Sequence, residues 1–98
     1  MLNLNTMATQ SLKIAKNRDQ KIDTESTLKH CAGEVVEAMN AYTYSLYNKN
    51  LREDFEIELA DVIMCILTVS GHLNIDIEKA LKKCMQKNQE REIHHDKD

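Results

Sequence analysis

Apolar residues recur at helical spacing in four stretches of this chain, and polar links separate them. Met7, Leu12, Ile14 and Ala15 make a weak stripe that predicts a first helix from about Thr6 to Arg18. A polar connector, NRDQKIDTES, follows. Val35, Met39, Tyr42 and Leu46 then recur at i, i+4, i+7 and i+11, predicting a second helix from about Ser26 to Tyr47. The NKN link is short, so helices two and three are expected to form an antiparallel hairpin. Asn50 and Glu53 have the spacing of a capping box opening helix three, which from Leu59 to Val69 is apolar nearly all round. That pattern marks it as the central helix. Gly71 is the expected C-cap, and Asp76 the expected N-cap of a fourth helix whose Ile77, Leu81, Cys84 and Met85 should face inward. A polar tail begins at about residue 93.

Composition narrows the reading. Two glycines and no proline leave a β-sandwich or barrel without its turn residues. The 98 residues suit one domain, 1–98, and the fold class expected is all-α, a four-helix bundle. A net charge of −3 argues against a nucleic-acid or anionic-membrane surface. The longest apolar run is broken by Asp61 and is too short to span a bilayer. Cys31, Cys65 and Cys84 form no CxxC and leave an odd one over, so they are read as reduced packing residues. MLNLNTMATQ has neither a basic n-region nor an apolar h-region, and a cytoplasmic location is expected.

The chemistry lies in two acidic pairs. Glu34 and Glu37 sit in GEVVEAM, and Glu58 and Asp61 sit in IELADVIM. Spacing of i,i+3 places both carboxylates of a pair on one helix face, roughly 5–6 Å apart at Cβ. Asp61 has Ile57, Met64 and Cys65 one turn away, so it is expected to be largely desolvated. In a hairpin the two pairs can face each other, and four converging carboxylates repel unless a hard cation joins them. Mg²⁺ fits that description, with Mn²⁺ as an alternative, because it takes a few carboxylates plus substrate phosphates. Acidic i,i+3 pairs also occur on solvated helix faces without any ligand.

GEVVEA, then ELADVI, then LNIDIEKAL and a KNQER segment resembles the MazG-like, all-α nucleoside triphosphate pyrophosphohydrolases over about residues 24–91. Those enzymes carry ExxE on one helix and ExxD on the next, matched here by Glu34, Glu37, Glu58 and Asp61. The resemblance implies hydrolysis of a nucleoside triphosphate to a monophosphate and pyrophosphate, in a homodimer or homotetramer. It implies catalytic and metal-holding roles for the four acids, with one glutamate orienting or deprotonating water. Asn88 and Arg91 match substrate-binding positions of the last helix, with Lys83 and Lys87 beside them. Cys84 stands where the family has a lysine, and His30 and Cys31 stand where it often has glutamates. A non-catalytic nucleotide-binding or helical interaction module is the alternative function.

Three further features have ordinary explanations. Tyr42, Tyr44 and Tyr47 at helical spacing suit core or dimer packing, or stacking on a base. His72 suits the negative end of helix three. Glu92 and His95 form an ExxH without a matching partner.

Overall fold

The computed structural model describes residues 3–18 and 23–96, with side chains as far as Arg91. The polar tail and the Glu92–His95 pair therefore lie outside the described side chains. Four helices follow one another: α1 (Leu4–Asn17), α2 (Thr24–Tyr47), α3 (Arg52–His72) and α4 (Ile77–Asp96). The all-α expectation holds, and no strand occurs among the described residues. No single described helix is long and apolar enough to cross a membrane.

Local chemistry sets the helix ends. Asn3 caps α1 by accepting the Thr6 N–H at 3.0 Å, and Asp23 caps α2 by accepting the Ser26 N–H at 2.8 Å. Both helices thus begin about two residues earlier than expected. The Asn50–Glu53 capping box does not form. Asn48 instead accepts the Asn50 N–H at 3.0 Å, and a 3₁₀ turn (Lys49–Leu51) leads into α3. Asp76 caps α4 as expected, accepting the Lys79 N–H at 3.1 Å.

Gly71 is not a C-cap. It lies inside α3, and the left-handed residue is Asn74, at φ 54°. A Cβ on Gly71 would stand 2.6 Å from the Ala8 carbonyl oxygen, so its missing side chain is what lets α1 and α3 touch. The buried face of α1 is accordingly small: Ala8, Ser11 and Ala15. Ser11 donates to the Met64 carbonyl at 3.1 Å and hydrogen-bonds Thr68, so the contact is polar as well as close. The stripe predicted for α1 is only half right, since Ala15 is buried while Ile14 is 49% exposed.

α3 is central, packed on α1 along one side and on α2 along the other. Pairings across the hairpin run in opposite directions: Cys31 meets Cys65, and Tyr42 meets Phe55 at a ring-centroid distance of 5.4 Å. That order makes α2 and α3 antiparallel, as the short link predicts.

α4 departs from the expected closed bundle. The chain turns through 117° between Lys49–His72 and Ile77–Arg91, and only the start of α4 docks, on α1. Glu78 Oε1 accepts the Leu4 N–H at 2.9 Å, and Asn5 Oδ1 accepts the Ile77 N–H at 3.0 Å. Beyond this junction Leu81, Cys84 and Met85 are exposed rather than inward-facing, and Ile77 is half-buried. The radius of gyration, 16.2 Å, exceeds the value near 13 Å usual for a compact chain of about 100 residues. The α2 stripe is equally uncovered: Met39 is 64% exposed and Leu46 63%.

Candidate metal centre

The ExxE of α2 and the ExxD of α3 meet across the hairpin because their helices run antiparallel. Carboxylate oxygens of Glu34, Glu37 and Glu58 lie within 4.8 Å of one another. Three of the four predicted ligands are thus brought together. Asp61 stands close enough to repel both Glu34 and Glu58, and it lines a cleft of about 590 Å³ between α1, α2 and α3. Its side chain is exposed, which corrects the expectation of a desolvated Asp61. The apolar neighbours one turn away do not enclose it, and Met64 and Cys65 stay only half-buried beside the open cleft.

The enclosed acids are Glu34 and Glu58, while Glu37 is exposed. Glu34 has a side chain only 14% exposed, and Glu58 is half-buried. Glu58 Oε2 is shielded from solvent and has no hydrogen-bond partner among the described residues. Burial first, then repulsion from Glu37, holds both Glu34 and Glu58 above the ordinary carboxylate pKa. His30 opposes this at Glu34, where its Nε2 lies 3.2 Å from Oε1. An orphaned, shielded carboxylate oxygen beside two other carboxylates is the donor set a hard divalent cation requires. The residues present fit Mg²⁺ or Mn²⁺.

The sequence-predicted substrate residues are elsewhere. Lys83, Lys87, Asn88 and Arg91 are all exposed on α4, which does not run along the α2–α3 hairpin. Within one chain the structure does not bring them to the carboxylates.

Sequence reasoning missed the far side of the cleft. A His30 ring nitrogen, a Glu34 oxygen and Cys65 Sγ form a second close group, also within 4.8 Å. Cys31 and Cys65 hydrogen-bond each other across the hairpin. Burial, the Cys31 thiol and nearby carboxylates push the Cys65 thiol up to about 12. The i,i+4 spacing of His30 and Glu34 was the available signal, but Cys65 joins them only through the fold.

No curated protein and no solved structure gives a significant match to this chain. The family model of the MazG nucleotide pyrophosphohydrolase domain matches residues 20–95, spanning both acidic pairs and α4. On that match, over most of its length and including the hairpin that gathers the carboxylates, the chain belongs to the MazG family.

Proposed function

We propose that this protein is a Mg²⁺-dependent nucleoside triphosphate pyrophosphohydrolase that converts a (d)NTP to (d)NMP and pyrophosphate. Mn²⁺ is the alternative ion. The observation that carries the reading is the convergence of Glu34, Glu37 and Glu58 around an orphaned Glu58 oxygen. Family membership supports the reaction class. Glu34, Glu37, Glu58 and Asp61 hold the cation in this reading. Bound there, it supplies neutralising charge for the phosphates and acidifies a coordinated water. Burial and mutual repulsion also make Glu34 and Glu58 better proton acceptors than a solvated carboxylate.

Triphosphate binding falls to Lys83, Lys87, Asn88 and Arg91, spaced i, i+4, i+5 and i+8 along α4. Arg91 can donate paired hydrogen bonds to phosphate, which lysine reproduces poorly. Losing a charge-assisted contact of about 1.5–3 kcal/mol corresponds to a fall in kcat/KM of about 10–100-fold for Arg91→Ala. Arg91→Lys should lose less. If both variants stay within about twofold of the parent, Arg91 has no part in substrate binding.

Assembly belongs to the same proposal. Val35, Met39, Tyr42, Leu59 and Val62 line an open apolar groove of about 580 Å³ on the hairpin, and α4 projects from the protomer. Both surfaces suit a homodimer or homotetramer in which the α4 face meets carboxylates of a neighbouring copy. Met39→Glu should shift the light-scattering mass to the monomer and lower turnover. A fully active wild-type monomer at micromolar concentration would contradict this assembly.

The experiment for the proposed reaction is a product assay over dNTPs, NTPs and oxidised or deaminated variants, with Mg²⁺ and with Mn²⁺. Pyrophosphate and a monophosphate are expected from at least one nucleotide. Thermal stabilisation by nucleotide and Mg²⁺ without products would indicate a binding module instead.

A further inference from the structure

The cleft holds a second set of donors that differs in chemistry from the carboxylates. A His30 ring nitrogen, a Glu34 oxygen and Cys65 Sγ lie within 4.8 Å of one another, although Cys65 comes from the opposite helix. Donors on a tetrahedral Zn²⁺ at about 2.0–2.3 Å stand roughly 3.3–3.8 Å apart, so side-chain rotations that close the group by about an ångström bring it onto one ion. His30 Nε2 already points at Glu34, at 3.2 Å. The His30 side chain is 64% exposed, which leaves an entry path, and the hydrogen bond that Cys65 donates to Cys31 holds the Cys65 sulfur in place across the hairpin. We propose that His30, Glu34 and Cys65 form a site for a borderline-soft divalent cation of the Zn²⁺ type, separate from the carboxylate site but sharing Glu34.

Donor softness separates the two ions. Mg²⁺ favours an all-oxygen set and has little affinity for sulfur, whereas Zn²⁺ and Co²⁺ favour imidazole and thiolate. Three protein ligands leave a position for water, as in open zinc sites. Each ion taken up displaces the Cys65 proton to solvent and takes that proton's place on the sulfur. Because Glu34 belongs to both sets, Zn²⁺ at His30 and Cys65 withdraws one ligand from the carboxylate site. This consequence, inhibition of turnover by Zn²⁺, rests on the proposed hydrolase reading. The binding site itself does not.

The test uses reduced, full-length protein with Zn²⁺ alone, in competition with a chromophoric chelator and without nucleotide. One equivalent per chain is expected. His30→Ala and Cys65→Ser should each weaken binding about tenfold or more. Cys84→Ser and a His94→Ala/His95→Ala double variant should bind as the parent does. Co²⁺ substitution in the wild-type protein provides a readout independent of any variant's folding: a thiolate-to-cobalt charge-transfer band is expected. Absence of that band overturns the site, as does stoichiometric Zn²⁺ binding that survives Cys65→Ser or disappears only in the tail variant. Because no turnover is measured, a failed Zn²⁺ site and a failed hydrolase reading give different results.

Discussion

Glu58→Gln is expected to lower pyrophosphate release by about 10²–10³-fold, the range typical for removing one preorganised electrostatic group from an active site. The substitution keeps the volume of the side chain and removes its charge, so helical content should be unchanged. Stability should move the opposite way in the metal-free protein. Glu58 has its pKa raised on folding, so wild-type stability falls as pH climbs from the unfolded value near 4.5 through the higher folded value. Glutamine has no charge to bury. The variant should therefore melt at a higher temperature than wild type at neutral pH, with the difference closing as pH falls toward 4.5. Saturating Mg²⁺ should reverse the order, stabilising wild type and not the variant. Thermal melts at several pH values, with and without Mg²⁺, check this. A variant that is active, or less stable than wild type when metal-free at neutral pH, would remove Glu58 from the site.

The largest effect on folding is expected at Gly71. A Cβ there meets the Ala8 carbonyl oxygen at 2.6 Å, its carbon at 3.1 Å and Leu12 Cβ at 3.2 Å. The first two are backbone atoms of a helix and cannot rotate away, so α1 must shift from α3. Overpacking of this kind costs about 1–3 kcal/mol, even though alanine is the better helix former by about 1 kcal/mol. The net expectation for Gly71→Ala is a lower melting temperature, by about 4–8 °C for each kcal/mol lost. Displacing α1 also loosens Ser11 from Met64 and Thr68. An unchanged or raised melting temperature would show that the α1–α3 contact yields easily. Calorimetric or circular-dichroism melts decide between these outcomes.

The two substitutions mark what could be read from the sequence. Glu58 was legible because an i,i+3 acidic pair within an apolar run fixes which face it occupies. The order of helices was legible from the hydrophobic period for the same reason. Gly71 was not. A glycine after an apolar run reads as a C-cap, and only the position of Ala8, more than sixty residues away in sequence, reveals a packing role. The α1 stripe was only partly right, with Ala15 buried, Met7 and Leu12 half-buried and Ile14 exposed. Large apolar residues dominate a periodicity reading, whereas a close helix crossing selects Ala8, Ser11 and Ala15. Asn48 and Asn50 are both good caps two residues apart, and the tight 3₁₀ turn chooses Asn48. Asp61 misled because apolar neighbours along a helix do not establish what lies across from it. Here an open cleft does. The His30–Cys65 proximity had no local signature at all.

In the proposed function, the gathered carboxylates support metal-dependent cleavage between the α- and β-phosphates. Its most direct measurement is quantitative product analysis of one accepted (d)NTP, with Mg²⁺ and with a chelator, for wild type and Glu58→Gln. Wild type with Mg²⁺ is expected to release equimolar monophosphate and pyrophosphate, with almost none in chelator or from the variant. Release of inorganic phosphate and a diphosphate, or equal turnover by Glu58→Gln, would contradict it.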